Sequence, residues 1–185
     1  MSTPLIILIV VILVLVLMYN SLVNKKNQVE NIFASVDTQL KKRYDLIPNL
    51  VASVSKYMEH EKSLLEEVTK LRADANKANI SDEKKIELDA KISSALGSLM
   101  IAVENYPDLK ANENVMHLQR TLNEVEEQIS ASRRAYNQAV TDYNNAIEMI
   151  PTNFMASAMN YKRKQVFEIV EAERKNMDVK KLFNS

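Results

Sequence analysis

The chain has 185 residues, with 24 basic and 24 acidic side chains and a formal net charge of zero, so no bulk field favours a nucleic-acid backbone. It has no cysteine, which excludes disulfides, thiolate metal sites and a cysteine nucleophile. One glycine and no tryptophan argue against sheets, tight turns and phosphate-cradling loops, and helix is what remains.

Leu5 to Met18 is an unbroken run of Leu, Ile, Val and Met, and no charged residue or histidine precedes Lys25. From Pro4 to Val23 the segment has about the 20 residues, roughly 30 Å of helix, that a bilayer core requires. At about −0.3 to −0.6 kcal/mol for each Leu, Ile or Val, the run contributes on the order of −4 to −8 kcal/mol to insertion. Leu5, Ile9, Leu13 and Leu17 represent this anchor, and Tyr19 falls at headgroup level, where a ring with a polar tip is favoured. A cleaved signal peptide wants a basic stretch first and small residues before the cut. Here no Lys or Arg leads and the first alanine is Ala34, so the expectation is a retained anchor. Lys25 and Lys26 follow it, with Lys41, Lys42 and Arg43 beyond. The positive-inside rule then predicts the amino terminus outside and the rest in the cytoplasm, in a single-pass protein of the inner cell membrane.

After the anchor, apolar residues recur at spacings of three and four. The first stripe runs Phe33, Val36, Leu40, Arg43, Ile47, Leu50, Val54, Tyr57, Glu61, Leu64, Val68, Leu71, Ala75, which predicts one long helix along a heptad seam. Pro48 lies inside it with Ile47 and Leu50 in phase on either side, so a kink in a continuing helix is expected. A loop follows over 73–81, with Ser81 as N-cap and Asp82 and Glu83 suited to the helix dipole. The second helix carries Leu88, Ile92, Ala95, Leu99, Val103 and Tyr106 inward and ends at Pro107. Asn112 or Asn114 caps a third, whose seam is Val115, Leu118, Leu122, Val125, Ile129, Ser132, Tyr136, Ala139, Tyr143, Ala146, Ile150, until Pro151 stops it. A short apolar helix or loop over 153–160, a fourth helix over 166–175 and a tail over 177–185 complete the expectation.

The fold class is therefore all-α: an N-terminal transmembrane helix followed by an antiparallel up-and-down bundle with long coiled-coil-like helices. The predicted segments are 1–23 for the anchor, 24–160 for the bundle and 161–185 for a C-terminal segment. The first helix is the longest, so its stretch 24–37 is either a stalk, or covered by the C-terminal segment or another subunit.

The tract from Arg43 through Tyr44, Asp45, Leu46, Ile47, Pro48, Asn49 and Leu50 to Val51, with Gln39, Leu40 and Lys41 before it, resembles the signature of the LemA family. Tyr19 to Val23, Glu104 to Glu113 (with Tyr106 and Pro107), Arg133 to Asn137, Tyr143-Asn144 and Pro151 match in order. The resemblance covers nearly the whole chain. It implies a single-pass anchor with a four-helix cytoplasmic bundle and supplies no reaction, though one similar branch works in magnetosome membranes and other members are encoded near membrane proteases. The chain departs from the pattern at Glu171 to Lys175, which lacks the proline expected before Val179.

No motif supplies catalysis. His60-Glu61 lacks a second histidine at Leu64, as a zinc protease requires, and the residues three before His60 and His117 are Tyr57 and Asn114, not the glutamates of a di-iron bundle. No catalytic residue, metal, cofactor, nucleic acid or small-molecule substrate is expected. Arg43 and Glu61 interrupt the first seam, either as recognition groups or as structural pairs. They stand roughly 27 Å apart along one helix, so each needs its own partner, and a clamp of Arg43 with Asp45 beside Pro48 is the expected arrangement. Tyr136 and Tyr143, seven apart, read as core, and Asn137 and Asn144 beside them as amides that set register or partner choice. Lys162-Arg163-Lys164 after an apolar stretch is either a solvated run or a contact for anionic headgroups, worth about 1 kcal/mol per charge. The functional expectation is a non-enzymatic scaffold that binds membrane lipid through 4–23 and a protein partner or its own copies through the bundle. The alternatives are membrane organisation and signal relay through the Pro48 kink.

Overall fold

The computed structural model describes residues 3–167, and among these the chain is helices and connections with no strand. The expected fourth helix over 166–175 and the tail over 177–185 lie outside the described residues. Helix α1 spans Thr3–Val54. The apolar run and the start of the bundle seam thus belong to one uninterrupted helix. Two compact units follow from the contacts, 3–43 with 122–166 and 44–121 with Phe167.

The first unit pairs α1 with the second half of α5 (Glu113–Glu148). Leu22, Val29, Phe33, Val36 and Leu40 of α1 are buried, as are Val125, Ile129, Tyr136, Ala139, Val140 and Tyr143 of α5. The Phe33 and Tyr136 rings lie 5.4 Å apart, and Arg43 meets Glu126 at 2.8 Å. Ten residues forward on α1 therefore correspond to ten backward on α5, an antiparallel pair without a register slip. Past α5 the chain turns at Ile150-Pro151 into α6 (Thr152–Ala158). Asn160 then takes a left-handed conformation, φ 54°, which asparagine tolerates better than most residues, and the chain returns without helix over 161–167. Tyr161 lies 6.0 Å from the Tyr143 ring, and the Lys26 ammonium is 6.0 Å from the Tyr161 ring. The stretch 24–37 is thus no open stalk, because the chain's own α5 and return segment lie against it.

The second unit corrects the first seam. The residues from Phe33 to Ala75 do not form one helix: α1 passes Pro48 and stops at Val54, the chain turns over 55–61 with a single 3-10 turn at Glu59–Glu61, and α2 (Lys62–Ala75) runs back. Arg72 consequently reaches Tyr44. At the turn Met58 is fully buried while Tyr57 is exposed, so the seam hands over to Met58. Ser53 and Ser55 hydroxyls donate back to the carbonyls of Asn49 and Ala52, the local competition with which serine weakens a helix end.

Helix α3 (Asp82–Val103) begins as expected, its Ser81 side chain accepting the Lys84 N–H at 3.3 Å. Leu88, Ile92, Ala95, Leu96, Leu99 and Val103 are buried, and α3 packs against α2, where Leu65 and Val68 are buried. The connection turns at Asn79, φ 61°, so in a chain with one glycine asparagines supply the left-handed positions. Where the second helix was expected to stop, Pro107 instead opens the short α4 (Pro107–Lys110), with Leu109 buried. Asn112 caps α5, its Oδ1 accepting the N–H groups of Asn114 and Val115 at 3.0 and 3.3 Å.

Candidate functional site

A proline inside a helix leaves the carbonyl four residues earlier without its usual N–H partner. For Pro48 that carbonyl belongs to Tyr44. The guanidinium of Arg72 on α2 donates to it from Nε at 2.8 Å. A charged donor on a part-buried carbonyl contributes about 1.5–3 kcal/mol. The family-like tract around Pro48 is thereby fastened to the returning helix by a residue the sequence reading did not single out. The proline itself announced the exposed carbonyl, but only the hairpin identifies its partner.

The first unit holds a second polar device. Arg43, 1% exposed, donates from Nη1 to Glu126 Oε2 at 2.8 Å, and Arg133 Nη1 lies 3.5 Å from Glu126 Oε1. One carboxylate thus sits between two guanidiniums on the α1–α5 seam. Glu126 on α5 is not the partner expected for Arg43, and Asp45 itself is exposed. Glu61 is not a seam residue of a long helix either, since it closes the 3-10 turn before α2.

The third device is an amide clasp. Asn144 is buried, its Nδ2 donating to the Lys164 carbonyl while its Oδ1 accepts the Lys164 N–H, both at 3.0 Å. A side-chain amide thereby mimics a peptide unit and pins the return segment to α5. Arg163 pairs with Glu148 beside it. Tyr136 and Tyr143 are buried against this segment's unit, and burial first, then the neighbouring Tyr161 and Glu30, pushes the Tyr143 phenol above its ordinary range. Asn137 is half-buried, Pro48 and Asn49 are exposed, and Tyr106 precedes Pro107 at the start of α4. In the apolar run of α1, Leu5, Ile9, Leu13, Leu17 and Tyr19 are all exposed. No group of three or more His, Cys, Asp or Glu able to hold a metal occurs among the described residues.

These devices hold helices in register. They define a helical bundle carried on a helix long and apolar enough to cross a membrane. A model of the LemA family matches residues 32–180, and the chain belongs to that family. It is 27% identical to Protein LemA of Metamycoplasma hominis over 165 residues, 89% of this chain and 75% of that protein. It is 35% identical to Magnetosome protein MamQ 2 of Paramagnetospirillum magneticum over 80 residues, and 32% identical to Magnetosome protein MamQ of Magnetospirillum gryphiswaldense over 79. Each of the latter matches covers 43% of this chain and 29% of the relative, so most of both magnetosome proteins lies outside the matched region.

Proposed function

We propose that the protein is a non-enzymatic scaffold, anchored in the inner membrane by 4–23 with its bundle in the cytoplasm, that presents helix faces to a protein partner or to further copies of itself. The observation that carries this reading is the continuity of α1. The apolar run leads directly into the buried stripe of Leu22, Val29, Phe33 and Val36 within one helix, with no flexible linker to decouple them. A bundle so attached has its orientation to the bilayer set by helix stiffness, which suits a platform better than a tethered, diffusing domain. Crosslinking in native membranes, followed by mass photometry of the extracted protein, tests this. Assemblies or a reproducible partner are expected, and a strict monomer without a crosslinked partner would remove the proposal.

The similarity to the magnetosome proteins favours a second reading, organisation of a specialised membrane compartment. Electron microscopy of cells overproducing the chain distinguishes it: extra or reshaped internal membrane supports organisation, and unchanged membranes favour the scaffold.

A further inference from the structure

The turn and helix that follow α5 carry apolar side chains the bundle does not use. Met149, Ile150 and Phe154 are 63%, 78% and 71% exposed, although Ile150 continues the seam pattern of α5. This tip lies against the anchor. An open apolar cleft of about 550 Å³ is lined by Val10, Val14 and Met18 of α1 on one side and Pro151, Phe154 and Met155 on the other. At 1.5 Å per residue, Met18 and Val10 stand about 10 and 22 Å along α1 from Lys25. If α1 spans a bilayer with a core about 30 Å thick, the tip lies mainly at the depth of the bundle-facing leaflet, and the far end of the cleft reaches just past the midplane.

Several polar groups at the tip have partners within it. In hydrocarbon every backbone donor needs a partner within the protein. Pro151 has no N–H, the Asn153 N–H bonds the Met149 carbonyl at 2.8 Å, and the Phe154 N–H bonds Asn153 Oδ1 at 2.9 Å. The Thr152 hydroxyl lies 2.6 and 2.9 Å from the carbonyls of Ala146 and Met149. Charge begins where the tip ends. Tyr161 is level with Lys26, and Lys162, Arg163 and Lys164 follow it, so basic groups from both chain segments gather at one height, where anionic headgroups would meet them.

We propose that residues 149–155 form a second membrane contact: a helical tip that inserts beside the anchor into the leaflet facing the bundle, with lipid acyl chains filling the cleft. The occupant is lipid because the patch is continuous with the exposed apolar surface of the anchor itself. The proposal rests on the anchored reading above.

The absence of tryptophan gives a clean reporter. Full-length Phe154→Trp and Ile150→Trp, two reporters at exposed positions, and Leu13→Trp in the anchor are each reconstituted in vesicles of phosphatidylcholine with anionic phosphatidylglycerol. The vesicles carry either plain or acyl-brominated chains, and circular dichroism first verifies helix content. The expected result is blue-shifted emission lost to bromine for the anchor and both tip reporters. Quenching of Leu13→Trp alone would overturn the tip contact while leaving the anchor intact. Quenching of none would remove the anchored reading and the tip with it. Blue-shifted but unquenched tip reporters would mean that protein, such as a second copy, covers the patch, and would also overturn the proposal.

Discussion

Replacing Arg72 by methionine keeps most of the aliphatic stem but removes the donor that serves the Tyr44 carbonyl at 2.8 Å. Because Pro48 cannot donate to that carbonyl, Arg72→Met should cost about 1.5–3 kcal/mol, the range for a hydrogen bond with a charged partner. Pro48→Ala restores an N–H four residues from Tyr44 and removes a residue that costs about 3 kcal/mol in a helix interior. The carbonyl has two lone pairs and can accept from both donors, but it no longer depends on Arg72. Arg72→Met in the Pro48→Ala background should therefore cost less than about 1 kcal/mol, leaving a coupling of at least about 0.5 kcal/mol between the sites. Urea unfolding of the full chain in detergent micelles, followed by far-ultraviolet circular dichroism, gives the four stabilities of the cycle. Equal costs for Arg72→Met in both backgrounds would refute the link between the proline and the arginine.

The seam clasp predicts an unequal pair. Glu126→Ala takes from the buried Arg43 its 2.8 Å carboxylate contact and should cost about 1.5–3 kcal/mol, the range for a hydrogen bond with a charged partner. Arg43→Met should cost less by the same unfolding assay, because the partly exposed Glu126 can turn to water. Loss of the amide clasp in Asn144→Leu should raise hydrogen exchange at the Lys164 amide and trypsin cleavage after Lys162 and Arg163, with little change in global unfolding. On α3, hydrogen bonds from Lys84 and then Lys91 hold the exposed Glu87 carboxyl down at about 2. Its folded value lies below its unfolded one, so its contribution is present above the ordinary carboxylate range and fades as pH falls toward 2. Carboxyl carbon chemical shifts should show a depressed midpoint that climbs back toward the ordinary range in high salt.

Much of this architecture is legible from periodicity and caps. The α5 seam from Val115 to Tyr143 is buried or half-buried at every expected position, because a single uninterrupted helix expresses a heptad pattern cleanly. Ser81 and Asn112 cap as their residue types require. The α1–α2 hairpin was not legible, for a physical reason: two antiparallel helices facing a shared core keep apolar spacings that read as one stripe across the turn, and no glycine marks the reversal. Tyr57 fits that stripe, yet Met58 is the buried residue. Ile150 also fits a stripe and is exposed, since α5 ends at Glu148 and the chain turns away. The polar contacts were least accessible. Arg43 and Glu126 are 83 positions apart and Tyr44 and Arg72 are 28, so composition could flag Arg43 as needing a partner without naming it. Asn144 stood out as an amide beside the tyrosine stripe, but the backbone it grips lies in a segment with no helical pattern.

The leading stretch of α1 is proposed to hold the bundle to a bilayer, and alkaline carbonate extraction of native membranes tests that attachment directly. The intact chain should stay in the pellet. Ile9→Lys with Leu13→Lys adds about 5–7 kcal/mol at the helix centre, enough to offset the roughly −4 to −8 kcal/mol of the apolar run, and should move the protein to the supernatant. Release of the intact chain, or equal retention of the double variant, would contradict the account.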